Sequence, residues 1–424
     1  MQAPSDVVVI GSGLAGLTAA IACAECGCNV TVACNGQGII AISSGCIDLL
    51  GVIEGKVCDD PWAAMAKLPS DHPYSLIGQD NVRKALDAFE ALLAKYHAPF
   101  CVNTANGERV NTLVPTILGT VKPSYLIPKS ADATILYTAK RALVCGVAGL
   151  RDISPKLCQM ILSQHPMLSH TRIEQTTLPS PFPASHRGIT ALDIARHVNT
   201  ENGQSWLLTC LGRFAHDYDV IMLPPILGTS YTHGLCENLS QSLGCQIREL
   251  ISIPPGVGGI RLREILLKEA TAKQIRFVEN CKIDKADIVD THCQEVFASD
   301  HGVRLGAKAF VLATGGILGG GIQTDPTTCT EPLFRFPIPN ATTLPRCDTN
   351  ALGNHLINRL GVSVDATLRA LDADGTRCLD NVFVAGRTLG GYDFTTEKSG
   401  HGVAIASGWY AGIQAAHSIG MGAL

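Results

Sequence analysis

The sequence predicts an α/β protein with two interleaved domains, one a Rossmann-like nucleotide-binding domain and the other an α+β domain. Three observations lead to this fold class. The chain opens with a buried strand, a glycine-rich turn and a helix, and two later buried strands also end in glycine-rich turns. Short alternating segments between residues 275 and 316 predict a small antiparallel meander beside the parallel sheet. With 424 residues, the chain is long enough for two domains.

The opening pattern is typical of a dinucleotide-binding unit. Residues 6–10 (DVVVI) are apolar and β-branched, which predicts a buried parallel strand, and an alanine-rich stretch predicts a helix over about 14–26. Gly11 permits the tight turn between them, Gly13 lets the backbone approach a phosphate, and Gly16 lets the helix pack on the strand. A turn that binds nothing is the alternative. The first candidate cofactor-binding residues are Gly11, Ser12, Gly13, Leu14, Ala15 and Gly16.

Two later glycine turns distinguish between classes of nucleotide-binding protein. FVLATGG and FVAGRTLGGYD each carry a buried strand into such a turn, and parallel strands that end this way can line one crevice at the carboxyl edge of a sheet. A simple nicotinamide dehydrogenase has no need of the two later turns. A flavoprotein can use them, because the phosphate and the ring of its flavin both lie along that edge. We therefore expect a flavin-binding domain. Both turns supply candidate cofactor-binding residues: Thr314, Gly315, Gly316, Gly386, Arg387, Gly390 and Gly391.

Two further segments are candidates for contact with the flavin, one after the second strand and one at the start of the last helix. They are Ser43, Ser44 and Gly45, and His401, Gly402 and Val403. The serines either contact the phosphate or ring, or belong to a hydroxyl-rich turn. His401 either donates a proton near the ring or packs as an ordinary loop histidine. Arg261 and Arg263 at a helix start either bind a phosphate or lie on a solvated helix face.

The order of these elements predicts a discontinuous flavin-binding domain made of residues 1–50, 255–329 and 376–424. The remaining stretches, 51–254 and 330–375, contain short segments bounded by prolines, and they predict an inserted domain that faces a partner. No residue is assigned a catalytic role. Catalytic-triad, zinc-protease and P-loop motifs are missing from the sequence, so hydrolase, metalloprotease and kinase functions have no support.

Composition narrows the possible partners. The formal net charge of −4 gives no support to binding of nucleic acid or of an anionic membrane. Apolar residues make up 46% and charged residues only 17%, which predicts much buried surface, inside the protein or against a partner. We recognise neither a signal peptide nor a membrane-spanning stretch, so we expect a soluble protein that reaches a membrane only through another subunit.

The 17 cysteines are scattered and odd in number, which predicts free, mostly buried thiols in a reducing cytoplasm. The cluster CAECGC places Cys23, Cys26 and Cys28 at a spacing that metal ligands also use. These residues fall on the predicted first helix and its turn, and that helix must pack on a sheet. We therefore expect helix packing and no metal site.

Longer motifs carry a closer resemblance. They are GSGLAGL at the start, ISSGCIDLL at 42–50, PPGVGGIRL at 254–262, LATGGILGGGI at 312–322 and DNVFVAGRTLGGYDFTTEKSGHGVA at 380–404. With these motifs the chain resembles the family of anaerobic glycerol-3-phosphate dehydrogenase B subunits, within the flavoproteins related to fumarate reductase. The order and spacing hold from end to end, although 51–120 and 330–375 carry little of the resemblance.

The resemblance implies a flavin-containing subunit that passes electrons within a quinone-linked dehydrogenase of anaerobic respiration. It implies two partners in the same dehydrogenase. One is a catalytic, FAD-containing subunit, which oxidises sn-glycerol 3-phosphate to dihydroxyacetone phosphate, and the other is an iron–sulfur subunit, which delivers the electrons to quinone. The resemblance also implies a cytoplasmic location, peripheral on the inner face of the cell membrane through the complex.

The resemblance implies FMN as the flavin, and one feature of the sequence agrees with it. The second strand ends in Ala33, Cys34 and Asn35, at the place where an acid normally bonds the adenosine ribose. FMN has no adenosine, so such an acid would have nothing to hold. FAD is the runner-up, with its ribose held by the backbone or by Asn35. Two other functions stay open: a stand-alone FAD-dependent oxidoreductase of the fumarate reductase type, and a flavin-free structural subunit.

Overall fold

A computed structural model describes residues 5–422 except 184, 187, 232, 233, 253–255, 301 and 352. Pro254 and Pro255, which open the PPGVGGIRL motif, therefore lie outside the described residues. The chain divides into a first unit of residues 1–39, 48–92 and 265–424, and a second unit of residues 40–47 and 93–264. This division differs from the expected boundaries, because 51–92 and 330–375 belong to the first unit, whereas 40–47 and 255–264 belong to the second.

The helices in chain order are α1 (Leu14–Glu25), α2 (Pro61–Met65), α3 (Pro73–Ile77), α4 (Gln79–Lys95), α5 (Pro155–Leu162), α6 (Ala191–Val198), α7 (Glu201–Gly212), α8 (Leu235–Leu243), α9 (Val257–Ala272), α10 (Phe394–Glu397) and α11 (Gly400–Ser418). The strands are β1 (Ser5–Ile10), β2 (Val30–Ala33), β3 (Val52–Ile53), β4 (Lys56–Val57), β5 (Phe100–Cys101), β6 (Asn103–Ala105), β7 (Glu108–Val110), β8 (Thr112–Pro115), β9 (Val121–Ser124), β10 (Ile127–Pro128), β11 (Arg141–Val147), β12 (Arg172–Leu178), β13 (Val220–Leu223), β14 (Gln246–Glu249), β15 (Arg276–Val278), β16 (Lys285–Val289), β17 (His292–Ala298), β18 (Val303–Leu312), β19 (Gln323–Thr324), β20 (Cys329–Thr330) and β21 (Val382–Val384).

The first unit is built on a sheet with the order β15-β2-β1-β18-β17-β16, in which β21 also pairs with β18. The parallel strands of this sheet are β15, β2, β1, β18 and β21. Strand β18 also pairs antiparallel with β17, and β17 pairs antiparallel with β16, so these three strands form an antiparallel meander. Val7, Val8 and Val9 of β1 are fully buried, as expected for a central strand covered on both faces. The α/β fold class, with its parallel sheet and small meander, is confirmed.

Helices α1 and α11 of the first unit pack backbone to backbone. A Cβ atom at Gly408 would overlap the carbonyl oxygen of Ala15, and one at Gly412 would lie 2.5 Å from the carbonyl oxygen of Ala19. The thiol of Cys23 donates to the carbonyl oxygen of Gly412 at 3.3 Å, and burial raises the pKa of this thiol well above its ordinary value. Cys23 therefore packs between these helices as a neutral donor.

The segments 51–92 and 330–375 join the first unit through backbone hydrogen bonds. The amide of Gly51 donates to the carbonyl oxygen of Glu397 at 2.9 Å. The amide of Val362 donates to the carbonyl oxygen of Thr388 at 2.8 Å. Such pairings join residues far apart in the sequence, so local patterns do not reveal them.

The second unit has a parallel sheet of its own, which the sequence did not predict, with the order β12-β11-β13-β14. Helix α6 is hydrogen-bonded at both ends to the loops that follow β11 and β13. At its start, the amide of Ala191 donates to Asp152 at 3.3 Å, and at its end Asn199 accepts from the amide of Thr229 at 3.1 Å. These bonds fix α6 to the loops at the carboxyl ends of two strands of this sheet.

A buried ion pair links β14 to α9 within the second unit. Both nitrogens of the Arg261 fork donate to the Glu249 carboxylate, at 2.6 and 2.9 Å, and each side chain is only 3% exposed. The carboxylate also accepts from the Ser130 hydroxyl and from the amide of Leu227, each at 2.8 Å. Both interpretations of Arg261 from sequence, a phosphate ligand and a solvated residue, are therefore wrong.

We expect low pH to destabilise the fold, because it protonates the Glu249 carboxylate. Burial by itself would raise the pKa of this carboxyl, but the charge of Arg261 and its hydrogen bonds outweigh burial and lower it. Because the folded pKa lies below the unfolded value of about 4.3, the stabilisation is present above that pH and is lost as pH falls through the folded pKa. We expect the thermal midpoint to fall less steeply below about pH 5 in Glu249→Gln than in the wild type. The exposed control Glu108→Gln should follow the wild type, and parallel curves for all three proteins would contradict this account.

Candidate functional site

The first glycine turn needs two of its glycines for packing and leaves space at the third. Gly11 has φ +114°, and a Cβ there would overlap the carbonyl oxygen of Ala313. A Cβ at Gly16 would overlap the carbonyl oxygen of Gly11. At Gly13, by contrast, no described atom lies within 4 Å of the position that a Cβ would take. The space beside Gly13 is therefore open to a ligand.

Helix α1 begins at this open space. Its cap residue is Gly13, and no side chain in the described part of the protein caps the helix. A helix start of this kind offers free amide groups and the positive end of the helix dipole to an anion. The Ser12 hydroxyl, however, donates to the carbonyl oxygen of Gly36 at 2.8 Å, so it supports the neighbouring loop.

The turn after β2 lies against the first glycine turn, and sequence reasoning missed it. Gly38 has φ +71°, and a Cβ there would lie 2.6 Å from the Cα atom of Gly13. Glycine at position 38 is thus required both by its backbone angle and by this close approach. The signal was present in the sequence, since NGQG follows the second strand directly.

The structure brings together the three glycine turns that the sequence singled out. They follow β1, β18 and β21, which are neighbours in the sheet. The Thr388 hydroxyl accepts from the amide of Gly315 at 3.2 Å and so joins the second turn to the third. A Cβ at Gly386 would lie 2.7 Å from the Cβ of Ala15, which brings the third turn against the first. Thr388 belongs to the third glycine turn, FVAGRTLGGYD, but it is not among the cofactor-binding candidates drawn from the sequence.

Two observations indicate that these turns fit a polar cofactor. One is the open space beside Gly13 at an uncapped helix start. The other is the Thr314 hydroxyl, which is buried and has no hydrogen-bond partner among the described residues. A buried hydroxyl without a partner costs about 1–3 kcal/mol, so its position favours a bound group that supplies the partner. These features are what a flavin with its phosphate would use.

Arg387, Gly390 and Gly391 have structural partners in the first unit. The Arg387 guanidinium donates to the carbonyl oxygens of Asn358 and Leu360, so it fastens that loop to the third turn. A Cβ at Gly390 would lie 2.8 Å from the carbonyl oxygen of Gly361. Gly391 has φ +83°, and a Cβ there would lie 2.5 Å from the carbonyl oxygen of Asp71. These glycines permit close contact between loops.

The start of α11 is held by the segment that begins at Asp48. The Nδ1 atom of His401 lies 3.9 Å from the Asp48 carboxylate, and the amide of Gly402 donates to the carbonyl oxygen of Asp48 at 2.9 Å. A Cβ at Gly402 would overlap the hydroxyl of Tyr74. Val403 is fully buried. His401 is the half-buried member of the three, with 20% of its side chain accessible.

A buried histidine joins the α3 region to the same helix start. His72 is fully buried, and its Nδ1 atom accepts from the amide of Tyr74 at 3.0 Å. Its Nε2 atom lies 3.3 Å from the Glu397 carboxylate and donates to it, because Nδ1 is already an acceptor. The Ser399 hydroxyl donates to the same carboxylate at 2.9 Å. Sequence reasoning missed this network, whose members are far apart along the chain.

Ser43, Ser44 and Gly45 belong to the second unit. Gly45 has φ +82°, and a Cβ there would lie 2.8 Å from the carbonyl carbon of Gly258. The amide of Gly259 donates to the carbonyl oxygen of Ser43 at 3.0 Å. The Ser43 hydroxyl is buried and has no partner among the described residues. This turn therefore packs on the start of α9 and leaves one hydroxyl unsatisfied.

At the end of β2, the position that usually carries a ribose-binding acid is occupied by the buried thiol of Cys34. Cys34 is 6% exposed, its amide donates to the carbonyl oxygen of Val278 at 3.0 Å, and its own carbonyl oxygen accepts from the amide of Cys281 at 2.9 Å. Asn35 beside it is exposed. A ribose at this edge would therefore meet Asn35 and backbone groups.

Comparison with known proteins identifies the class first. A family model described as an FAD binding domain matches residues 6–403. Together with the parallel sheet and its three glycine turns, this match makes the chain a member of that FAD-binding family. Among solved structures, the open form of a flavocytochrome c3 fumarate reductase aligns with 98% of this chain and 78% of its own, at 11% identity and a TM-score of 0.44.

Curated relatives then give the particular family. A probable B subunit of anaerobic glycerol-3-phosphate dehydrogenase from Halobacterium salinarum is 32% identical over 436 residues, which cover 99% of each chain. The B subunit of anaerobic glycerol-3-phosphate dehydrogenase from Aliivibrio fischeri is 28% identical, over 96% of this chain and 94% of that protein. The chain belongs to the family of anaerobic glycerol-3-phosphate dehydrogenase B subunits. The resemblance drawn from the motifs is confirmed.

The comparisons support a flavin as the cofactor class, but they do not support FMN as the first choice. The matching family is described by its binding of FAD.

Among the helices of the described residues, none is long and apolar enough to cross a membrane.

Proposed function

We propose that this chain is a flavin-bearing oxidoreductase subunit of a quinone-linked dehydrogenase that oxidises sn-glycerol 3-phosphate to dihydroxyacetone phosphate. The observation that carries the proposal is the meeting of three glycine turns at the start of α1 and at the Thr314 hydroxyl. Among the described residues, no side chain caps that helix start and none bonds that hydroxyl. A bound flavin can accept electrons in pairs and release them singly, which suits a protein that passes electrons onward.

Each part of the site has a role in holding that cofactor. The open space beside Gly13 admits a phosphate, and the amides at the start of α1 bind it. The Thr314 hydroxyl supplies a further hydrogen bond. Thr388 keeps the second and third turns in register through Gly315. The start of α11 carries the half-buried His401, whose ring can form a hydrogen bond to the flavin.

We propose FAD as the flavin, because the matching family model describes an FAD binding domain. FMN is the second candidate, and one observation favours it. Cys34 is an enclosed thiol at the position where a carboxylate would bond the ribose of FAD, and a thiol is a weak acceptor. In the FAD case, the exposed Asn35 side chain binds the ribose instead.

We further propose that the chain works with a catalytic, FAD-containing subunit and an iron–sulfur subunit of the same dehydrogenase, on the cytoplasmic face of the cell membrane. The relatives are named as subunits, which supports assembly into a larger complex. The membrane contact is assigned to a partner, since no described helix of this chain has the properties of a membrane span.

The direct test is the identity of the flavin. The chain is purified alone and together with its co-expressed partners, the flavin is released by heat, and the product is identified by chromatography. One FAD per chain supports the proposal, and one FMN keeps the electron-transfer function but replaces the cofactor. A colourless protein in both preparations overturns the proposal and favours a structural subunit. Turnover of sn-glycerol 3-phosphate by the isolated chain would favour a stand-alone oxidoreductase.

A further inference from the structure

Helix α11 extends beyond the start of α1 toward the carboxyl edge of the sheet in the first unit. The two helices run parallel, since Gly408 packs on Ala15 and Gly412 packs on Ala19. Residues 400–407 of α11 therefore project about 12 Å past Ala15 along the helix axis. In the proposed function the flavin phosphate lies at the start of α1, so the projecting end of α11 faces the edge that the rest of the cofactor occupies.

A half-buried carboxylate lies just before this projecting end. Glu397 accepts hydrogen bonds from Nε2 of His72 at 3.3 Å, from the Ser399 hydroxyl at 2.9 Å and from the amide of Asp393 at 3.0 Å. Only 16% of its side chain is exposed. None of the described lysines and arginines forms an ion pair with Glu397, so these three bonds fix its carboxylate without a cation beside it.

His72 positions this carboxylate without neutralising it. The Nδ1 atom of His72 accepts from the amide of Tyr74 at 3.0 Å, so that nitrogen carries no proton. The ring proton is therefore on Nε2, where it is donated to Glu397. A ring with one proton is uncharged, and the negative charge of Glu397 is not cancelled by it.

Tyr74 indicates that the charge of Glu397 reaches the start of α11. A Cβ at Gly402 would overlap the Tyr74 hydroxyl, so this phenol lies against the helix start. Burial raises the pKa of Tyr74 well above its ordinary value, and the phenol of Tyr392 and the charges of Glu397 and Asp48 raise it further. A cofactor beside the same helix start would experience the same negative charge.

We propose that Glu397 lowers the reduction potential of the bound flavin, and that His72 is the residue that positions the Glu397 carboxylate. Reduction adds electrons to the flavin, and a fixed negative charge nearby opposes their addition. Arg387 and Lys398 carry positive charge on the same segment, but removal of one negative charge raises the potential whatever the other charges are. The inference rests on the proposed function, since it needs a flavin beside α11.

The test is a reductive titration of the purified, flavin-containing chain against a reference dye, followed by visible absorbance. Glu397→Gln should favour the reduced flavin at least about tenfold, which for a two-electron couple is a rise of about 30 mV. His72→Leu releases the carboxylate from its position, so it should raise the potential by part of this amount. His72→Gln keeps a donor toward Glu397, so its potential should lie closer to that of the wild type than the potential of His72→Leu does.

Asp287→Asn is the matched control, because it removes an exposed carboxylate from β16 of the same unit and should leave the potential unchanged. Equal potentials in Glu397→Gln and the wild type, or an equal rise in Asp287→Asn, would overturn the inference while the proposed function stands. A further rise when His72→Leu is added to Glu397→Gln would also contradict it, since His72 would then act by another route. A chain without flavin overturns both. If His72→Leu does not fold, the comparison of Glu397→Gln with Asp287→Asn decides.

Discussion

Gly13→Val is expected to leave the chain folded and to remove its flavin. No described atom outside the neighbouring residues lies within 4 Å of the Cβ position, and the backbone angles of Gly13 (φ −73°, ψ −177°) suit any residue. The thermal midpoint should therefore stay close to that of the flavin-free wild type. The new side chain would occupy the space that we assign to the phosphate. We expect the ratio of flavin to protein absorbance to fall below about a tenth of the wild-type value.

Substitutions at two other glycines serve as controls that distinguish loss of the cofactor from loss of the fold. Gly212 lies at the end of α7, where the Leu243 side chain, at 3.8 Å, is the only group among the described residues that a Cβ would meet. Gly212→Val should therefore keep both fold and flavin. Gly16→Ala should reduce stability, because its Cβ overlaps the carbonyl oxygen of Gly11. Full flavin content in Gly13→Val would show that the phosphate does not approach this turn.

Arg261→Met should lower the free energy of unfolding by about 3–5 kcal/mol, because it leaves the Glu249 carboxylate buried without its cation. The carboxylate would keep its bonds from Ser130 and Leu227, but these donors carry no charge. The change would be measured by urea denaturation. Adding Glu249→Gln to Arg261→Met should recover part of the loss, since the buried charge is then removed.

The control for this substitution is an exposed ion pair in the same unit. Arg172 contacts Glu174 at 2.6 Å, but 71% of its side chain is exposed. Arg172→Met should therefore cost less than about 1 kcal/mol. If Arg261→Met and Arg172→Met lower stability equally, the buried pair does not stabilise the second unit as we describe.

The sequence predicted those parts of the fold whose signal is local. The strand at 6–10, the helix after it and all three glycine turns are short patterns with a direct steric reason, such as the forced φ of Gly11. These elements define the candidate flavin site. The family membership also followed from such motifs.

Features that depend on distant pairing were missed. Strands β11 and β13 are only seven and four residues long, and they pair across more than 70 residues of intervening chain. The partner of Arg261 is Glu249, which stands 12 residues earlier and outside the motifs, so the sequence showed a cation but not the charge that neutralises it. His72 and Glu397 are 325 residues apart. No local periodicity records such contacts.

The backbone contact between α1 and α11 sets an order of events during biosynthesis. Ala15 and Ala19 leave the ribosome early, while Gly408 and Gly412 follow only after the whole second unit has been translated. The side of α1 that packs on α11 therefore stays uncovered until the whole second unit and α11 have been translated. The third glycine turn, which follows β21, is also translated after the second unit, so the three turns can meet only once both units have been synthesised.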